Sequence, residues 1–276
     1  GYRFDQFTNG DNMREQGKPG SHPENVYFFA TCVVDQFFPG AGMDAITLLE
    51  RQGIRVHFPE EQTCCGQPAY TSGFPDEARK VAAHQLTLFP NDWPVIVPSG
   101  SCAGMMKHHY PALFAADPPR KAQAEALSAR IYEFTDFLVN VLNWQPQDTG
   151  GDCTVVLHTS CSARREMGVH LTGRKLLGDL KKVTVAQQDH ESECCGFGGT
   201  FSIKQPEISG AMVEDKLKAL KATGAERVVS ADCGCLLNIL GHAAWKDVQE
   251  GRAQPSLPGE HIASFLLRRT EERSGQ

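Results

Sequence analysis

The chain has 276 residues, 41% of them apolar and 22% charged, with a formal net charge of −6. That composition belongs to a soluble globular protein with one large core or two ordinary ones, and the acidic balance without a dense Lys/Arg run excludes a polyanion-binding surface. The longest apolar runs, such as 26–30 and 95–97, are strand length and far short of a membrane span.

Residues 1–25, rich in Gly, Asn, Asp and Pro and without the apolar stretch of a secretory signal, predict an irregular arm. Order begins with a buried strand over 26–30, running into Thr31 and Cys32. A helix over 41–52 carries Ile46, Leu48 and Leu49 and stops at Gly53. A second strand, 54–58, leads to Cys64-Cys65-Gly66. The next helix, 75–89, spaces Ala78, Val81, Ala82, Leu86 and Phe89 along one face. A third strand at 95–97 leads to Ser99-Gly100-Ser101-Cys102, and a long helical pattern over 121–142, interrupted near Ser128, closes this half. Residues 145–152, with Pro146, Gly150 and Gly151, form the predicted joint.

The second half repeats the order. A strand over 154–157 leads to Thr159-Ser160-Cys161, a helix over 174–181 and a strand over 183–186 lead to Cys194-Cys195-Gly196, and a helix over 208–222 ends at Gly224. A last strand, 227–229, leads to Cys233-Gly234-Cys235. Strands alternating with helices predict an α/β fold of two duplicated Rossmann-like halves, each a parallel sheet, related by a pseudo-two-fold axis. The expected domains span 26–144 and 153–268.

The cysteines keep this register. Cys32, Cys64, Cys65 and Cys102 recur as Cys161, Cys194, Cys195 and Cys235, at offsets of 129, 130, 130 and 133 residues (161 − 32, 194 − 64, 195 − 65 and 235 − 102). All follow predicted strands, at the sheet edge where α/β proteins bind ligands. Adjacent cysteines in an extended segment point to opposite faces, so joining both to one site needs a bend, which Gly66 and Gly196 permit. Four thiolates per half is the number an iron–sulfur cluster or a structural zinc requires. Ten cysteines with no secretory signal point to the reducing cytoplasm and to metal or redox use. One 4Fe-4S cluster per half is the leading expectation. Zinc at one site, inert buried thiols and vicinal disulfides are the alternatives.

Around these motifs, His158, His109 and Arg165 are the candidate catalytic residues. Arg164 and Arg165 suit a cluster's negative charge or a substrate carboxylate, and His190 reads as a surface residue. His108 and His109 line the site or cap a helix. No glycine fingerprint for dinucleotide or triphosphate binding occurs.

The doubled pattern of cysteine, Cys-Cys-Gly and late cysteine resembles the CCG-domain iron–sulfur proteins, among them the heterodisulfide reductase B subunit and the iron–sulfur subunits of glycolate and glycerol-3-phosphate oxidation. Thr63-Cys64-Cys65-Gly66-Gln67-Pro68-Ala69-Tyr70, Pro98-Ser99-Gly100-Ser101-Cys102, His108-His109-Tyr110-Pro111 and Glu193-Cys194-Cys195-Gly196-Phe197-Gly198-Gly199-Thr200-Phe201 are similar to the lactate-utilisation protein A branch, a resemblance covering 26–268. It implies an iron–sulfur subunit acting in oxidation of L-lactate, a small 2-hydroxy acid, to pyruvate, with a ferredoxin-like iron–sulfur partner and a third small subunit. A heterodisulfide-type thiol–disulfide reductase and a non-catalytic electron carrier are the competing roles. Heterodisulfide reductase-like units close with Cys-x-x-Cys, giving five thiolates. Here Ser99 and Asp232 stand at the earlier position, and Cys233, one residue after Asp232, is either a substitute fifth ligand of the second half or a bystander, the tight one-residue spacing to Cys235 favouring the bystander. Arg164 and Arg165 stand where this resemblance would put a histidine-containing stretch.

Overall fold

The computed structural model describes residues 22–271; the arm expected over 1–25 lies, up to residue 21, outside the described residues. The first sheet is built from β1 (Asn25–Phe28), β2 (Arg55–His57), β3 (Val95–Val97) and β4 (Ile131–Glu133), and the second from β5 (Cys153–His158), β6 (Val183–Ala186), β7 (Arg227–Ser230) and β8 (Gly259–His261). Their orders, β2-β1-β3-β4 and β6-β5-β7-β8, are the same topology twice, and every pair is parallel. The duplicated α/β fold expected from the repeated strand–helix order and the cysteine register is therefore present.

Side-chain alternation along the central strands sorts the core into three parts. Val26 and Phe28 on one face of β1, and Val155 and Leu157 on one face of β5, share a single apolar cluster between the halves. Tyr27 and Phe29 face a second cluster outside the first sheet. Val156 faces a third, outside the second sheet, with Val213, Leu217 and Leu236. The halves meet through matched contacts. Helix Cys32–Phe37 packs on helix Cys233–Gln249, and the π-helical turn Ala163–Met167 packs on helix Gly100–Gly104. Those are the same pair of elements met in opposite directions, as a two-fold relation requires.

The helix expected over 174–181 instead spans Val169–Gly178. The interruption expected near Ser128 is present, but it holds a strand: helix Pro118–Ala129 ends, β4 pairs with β3 in the register Val95↔Ile131, and helical structure resumes at Phe134. The Glu133 carboxylate caps this restart by accepting from the Thr135 and Asp136 amides at 2.7 and 3.0 Å. At the matching place in the second half, His261 Nδ1 accepts from the Ala263 amide at 3.1 Å. Both fourth strands are three residues long, too short to show a period of two in the sequence.

Candidate metal centre

The eight repeated cysteines follow the carboxyl ends of their strands, and short backbone devices set them there. Thr31, buried and at φ +67°, turns the chain after β1, and its hydroxyl accepts from the Val34 amide at 3.4 Å, so that Cys32 opens a helix. A threonine in this region is strained, and such strain collects at functional sites. The two doublets turn on Gly66 at φ +87° and Gly196 at φ +84°. The amide of each glycine points back to the first sulfur of its doublet, Gly66 to Cys64 Sγ at 3.4 Å and Gly196 to Cys194 Sγ at 3.3 Å. The second carbonyl of each doublet is held by the helical segment that follows the late cysteine: Tyr110 Oη donates to Cys65 O and Asn238 Nδ2 to Cys195 O, both at 2.8 Å.

The fold brings together the residues that the sequence keeps far apart. In the first half, the thiols of Cys32, Cys64, Cys65 and Cys102 interact from one to the next in a continuous run. Hydrogen bonds from Cys32 and Cys65, with help from the Gly66 amide, hold the Cys64 thiol down to about 3, while donation to Cys64 and burial push Cys32 up. In the second half the run is Cys161, Cys194, Cys195 and Cys235. Its hydrogen bond to Cys194 and burial push Cys161 up. All ten cysteines are free thiols. Four sulfurs following one another at each sheet edge, with Cys64 of the first half already favoured as thiolate, are a donor set that fits an iron–sulfur cluster.

Both runs open into one cavity of about 440 Å³, lined by cysteines of both halves together with Ser101, Ser160, Asp232 and the Gly198-Gly199-Thr200 turn. Asp232 lies on the boundary between the halves and is only 3% exposed. Its Oδ1 accepts from Ser99 Oγ at 2.8 Å and from Ser101 Oγ and N at 2.9 and 3.2 Å, and its Oδ2 from Ser160 Oγ at 2.8 Å. Ser99 and Asp232 hold matching positions, with the same 133-residue offset (232 − 99) as Cys102 and Cys235. A residue that touches its own counterpart lies on the symmetry axis, so the axis passes through this hydrogen bond.

The other sequence candidates scatter. His158 is fully buried, with Cys195 and Cys235 beside it. His109 and His108 instead join the halves, through Glu166 Oε1 at 3.2 Å and Glu166 O at 3.0 Å. Arg164 is tied to Glu191 at 2.6 Å, while Arg165 is exposed and its charge favours the Cys161 thiolate. His190 is a surface residue paired with Glu193. Cys233 is buried against Val34 and Ala41 of the first half, and its sulfur is not part of the second run of thiols. Sequence reasoning missed Lys216, 3% exposed, whose Nζ donates to His190 O at 2.6 Å within the field of the Cys194, Cys195 and Cys235 sulfurs. Its signal was a lysine on the inward stripe Val213, Leu217, Leu220 of helix Pro206–Ala222.

The cysteine-rich domain family named CCG matches residues 26–107 and 155–240, one copy per sheet. The chain is 45% identical over 244 residues to lactate utilization protein A of Shouchella clausii, covering 88% of this chain and 98% of that protein. It is 43% identical over 241 residues to lactate utilization protein A of Bacillus subtilis, covering 87% and 98%. A crystal structure of a hypothetical protein from Helicobacter pylori superposes with a TM-score of 0.66 at 10% identity, covering 92% of this chain and 50% of that one, a likeness of fold alone. With the Cys-Cys-Gly unit matched in both halves and its relatives matched over most of its length, the chain belongs to the CCG cysteine-rich domain family and, within it, to the lactate utilization protein A family.

Proposed function

We propose that the chain is an iron–sulfur redox subunit of a complex that oxidises L-lactate to pyruvate, with one cluster held by Cys32, Cys64, Cys65 and Cys102 and another by Cys161, Cys194, Cys195 and Cys235. The observation that carries this reading is two four-sulfur sites opening into one cavity, in a chain whose relatives are named for lactate utilization. When bound, the clusters supply one-electron acceptors for the two electrons that leave a 2-hydroxy acid. The chain's own residues prepare the site for them. Amides of Gly66 and Gly196 stabilise charge on the first sulfur of each doublet, and Arg165 adds positive charge beside Cys161. Ser101 and Ser160 spend their hydroxyl protons on Asp232, so their lone pairs are what they offer a ligand in the cavity. A ferredoxin-like iron–sulfur protein and a third small subunit complete the complex in this reading, in a cytoplasm that keeps the thiols reduced.

The test uses the whole protein, purified without oxygen and assembled with its partner subunits. Iron and sulfide analysis with electron paramagnetic resonance is expected to show a cluster in each half, reduced on adding L-lactate. Oxidation of the clusters by a disulfide, with no response to lactate, would instead make the chain a heterodisulfide-type reductase. Protein without iron or sulfide would overturn the proposal.

A further inference from the structure

The two sulfur sites match each other in their cysteines, and among their differences is one buried ring. His158 ends β5 on the same face as Val156, towards the outer core that contains Cys195, Cys235 and Leu236. The ring is 0% exposed, and neither Nδ1 nor Nε2 has a hydrogen-bond partner among the described residues. A neutral imidazole always carries one N–H, and leaving a polar group buried and unpaired is costly. What the fold places beside the ring is sulfur: a His158 nitrogen and the Sγ atoms of Cys195 and Cys235 all lie within 4.8 Å of one another. In the first half, three residues before Cys32 as His158 is three before Cys161, stands Phe29, also 0% exposed and packed in one cluster with Cys65. The first site thus has an aromatic ring of similar size and no N–H.

We infer that His158 is a positioning residue of the second site which, once a centre is bound there, donates its ring N–H to the adjacent sulfur of Cys195 or Cys235 and thereby gives that centre a higher reduction potential than the one in the first half. The inference rests on the cluster-binding reading above. A hydrogen bond to a ligating sulfur offsets negative charge on the cluster, and reduction adds negative charge, so the reduced state gains more. Phe29 fills the same space without that effect. The asymmetry between the halves is then electronic, and it makes the second centre the stronger oxidant of the two.

The test is redox-poised electron paramagnetic resonance on the anaerobically purified whole protein, with the second centre identified as the signal lost in Cys235→Ser. His158→Phe installs the first half's residue, and His158→Gln keeps an N–H. With iron content and thermal melt matching the unsubstituted protein, His158→Phe is expected to shift the second centre's oxidised-to-reduced ratio at least tenfold towards oxidised, at the unsubstituted protein's midpoint. The first centre should not move, and His158→Gln should recover part of the shift. An unmoved second centre, equal shifts in both centres, or identical behaviour of the two variants would overturn the inference. So would a strong ¹⁴N coupling in the unsubstituted protein, since that marks nitrogen as a direct ligand. If His158→Phe does not retain iron, His158→Gln decides: a second centre near its original potential supports the donor role, and a full shift refutes it. Iron-free protein would sink the cluster reading itself. The contact is then read by ¹⁵N-histidine NMR, where a slowly exchanging His158 ring N–H is expected, and a ring N–H that exchanges at solvent rates refutes it.

Discussion

Single atoms decide what the doublets tolerate. A Cβ on residue 196 would lie 2.7 Å from the Ser209 carbonyl oxygen, against 3.4 Å from the Ala78 carbonyl oxygen for residue 66, and both positions have left-handed φ. Gly66→Ala is therefore expected to cost about 1–2 kcal/mol from backbone strain alone. Gly196→Ala should cost more, because its new contact is with backbone that cannot rotate away. Urea unfolding of the two variants checks the order, and equal losses would contradict it. Cys233 makes the complementary case. Its thiol fills space against Val34 and Ala41, so Cys233→Ala should leave iron content and both cluster signals unchanged, with a packing loss of ~1 kcal/mol. Cys235→Ser, in contrast, should empty the second site. A Cys233 variant that loses iron would make that residue a ligand.

At the scale of elements, the capping of the helical segment after β4 has a pH signature. Glu133 is fully buried, and burial raises its carboxyl from 4.5 to about 8; only one of its two oxygens has partners. Between pH 4.5 and about 8 the folded protein therefore takes up a proton that the unfolded chain does not hold. Stability falls as pH rises through that window, and the penalty is complete above it. Glu133→Gln keeps an acceptor for the Thr135 and Asp136 amides without the buried charge. It is expected to be nearly neutral at pH 5 and stabilising by roughly a few kcal/mol at pH 9. Thermal melts of both proteins across that range check the sign. A variant that loses stability at high pH would show that the ionised carboxylate is needed as the cap.

For the whole molecule, Asp232 is the joint. Its four hydrogen bonds come from Ser99, Ser101 and Ser160, so one carboxylate ties both halves together at the symmetry axis and forms part of the wall of the shared cavity. Hydrogen bonds to a charged group contribute about 1.5–3 kcal/mol each, and a deletion leaves the buried hydroxyls of Ser99 and Ser160 and the half-buried one of Ser101 without this acceptor. Asp232→Ala is expected to lower stability by at least ~3 kcal/mol and to weaken metal retention in both sites. Asp232→Asn keeps a carbonyl for Ser99 and Ser101 and should be much milder. Paired urea melts and iron analysis decide the point; loss of iron from one site alone would mean that Asp232 serves one half and not the joint.

The cysteine register determined the duplication and the eight sulfurs that converge, and the alternation of strands with helices determined the parallel α/β class, because those follow from chain order and from the strand ends at which ligands bind. Short-range pattern also placed the central strands β1, β3, β5 and β7 within two residues, since each is a buried apolar run. Four things were decided only by tertiary structure. The strands β4 and β8 exist because a neighbouring strand offers them a ladder, which three residues cannot announce by themselves. Arg164 and His109 are drawn from the cavity by carboxylates 27 and 57 residues away in sequence. Cys233 is turned to the opposite half by the helix it opens. His158 and Lys216 gain their place beside the second sulfurs from a face of β5 and a stripe of one helix meeting over the same doublet. Spacing along a chain specifies which residues share an edge, but the partner a buried charge or ring meets there depends on how separate faces pack.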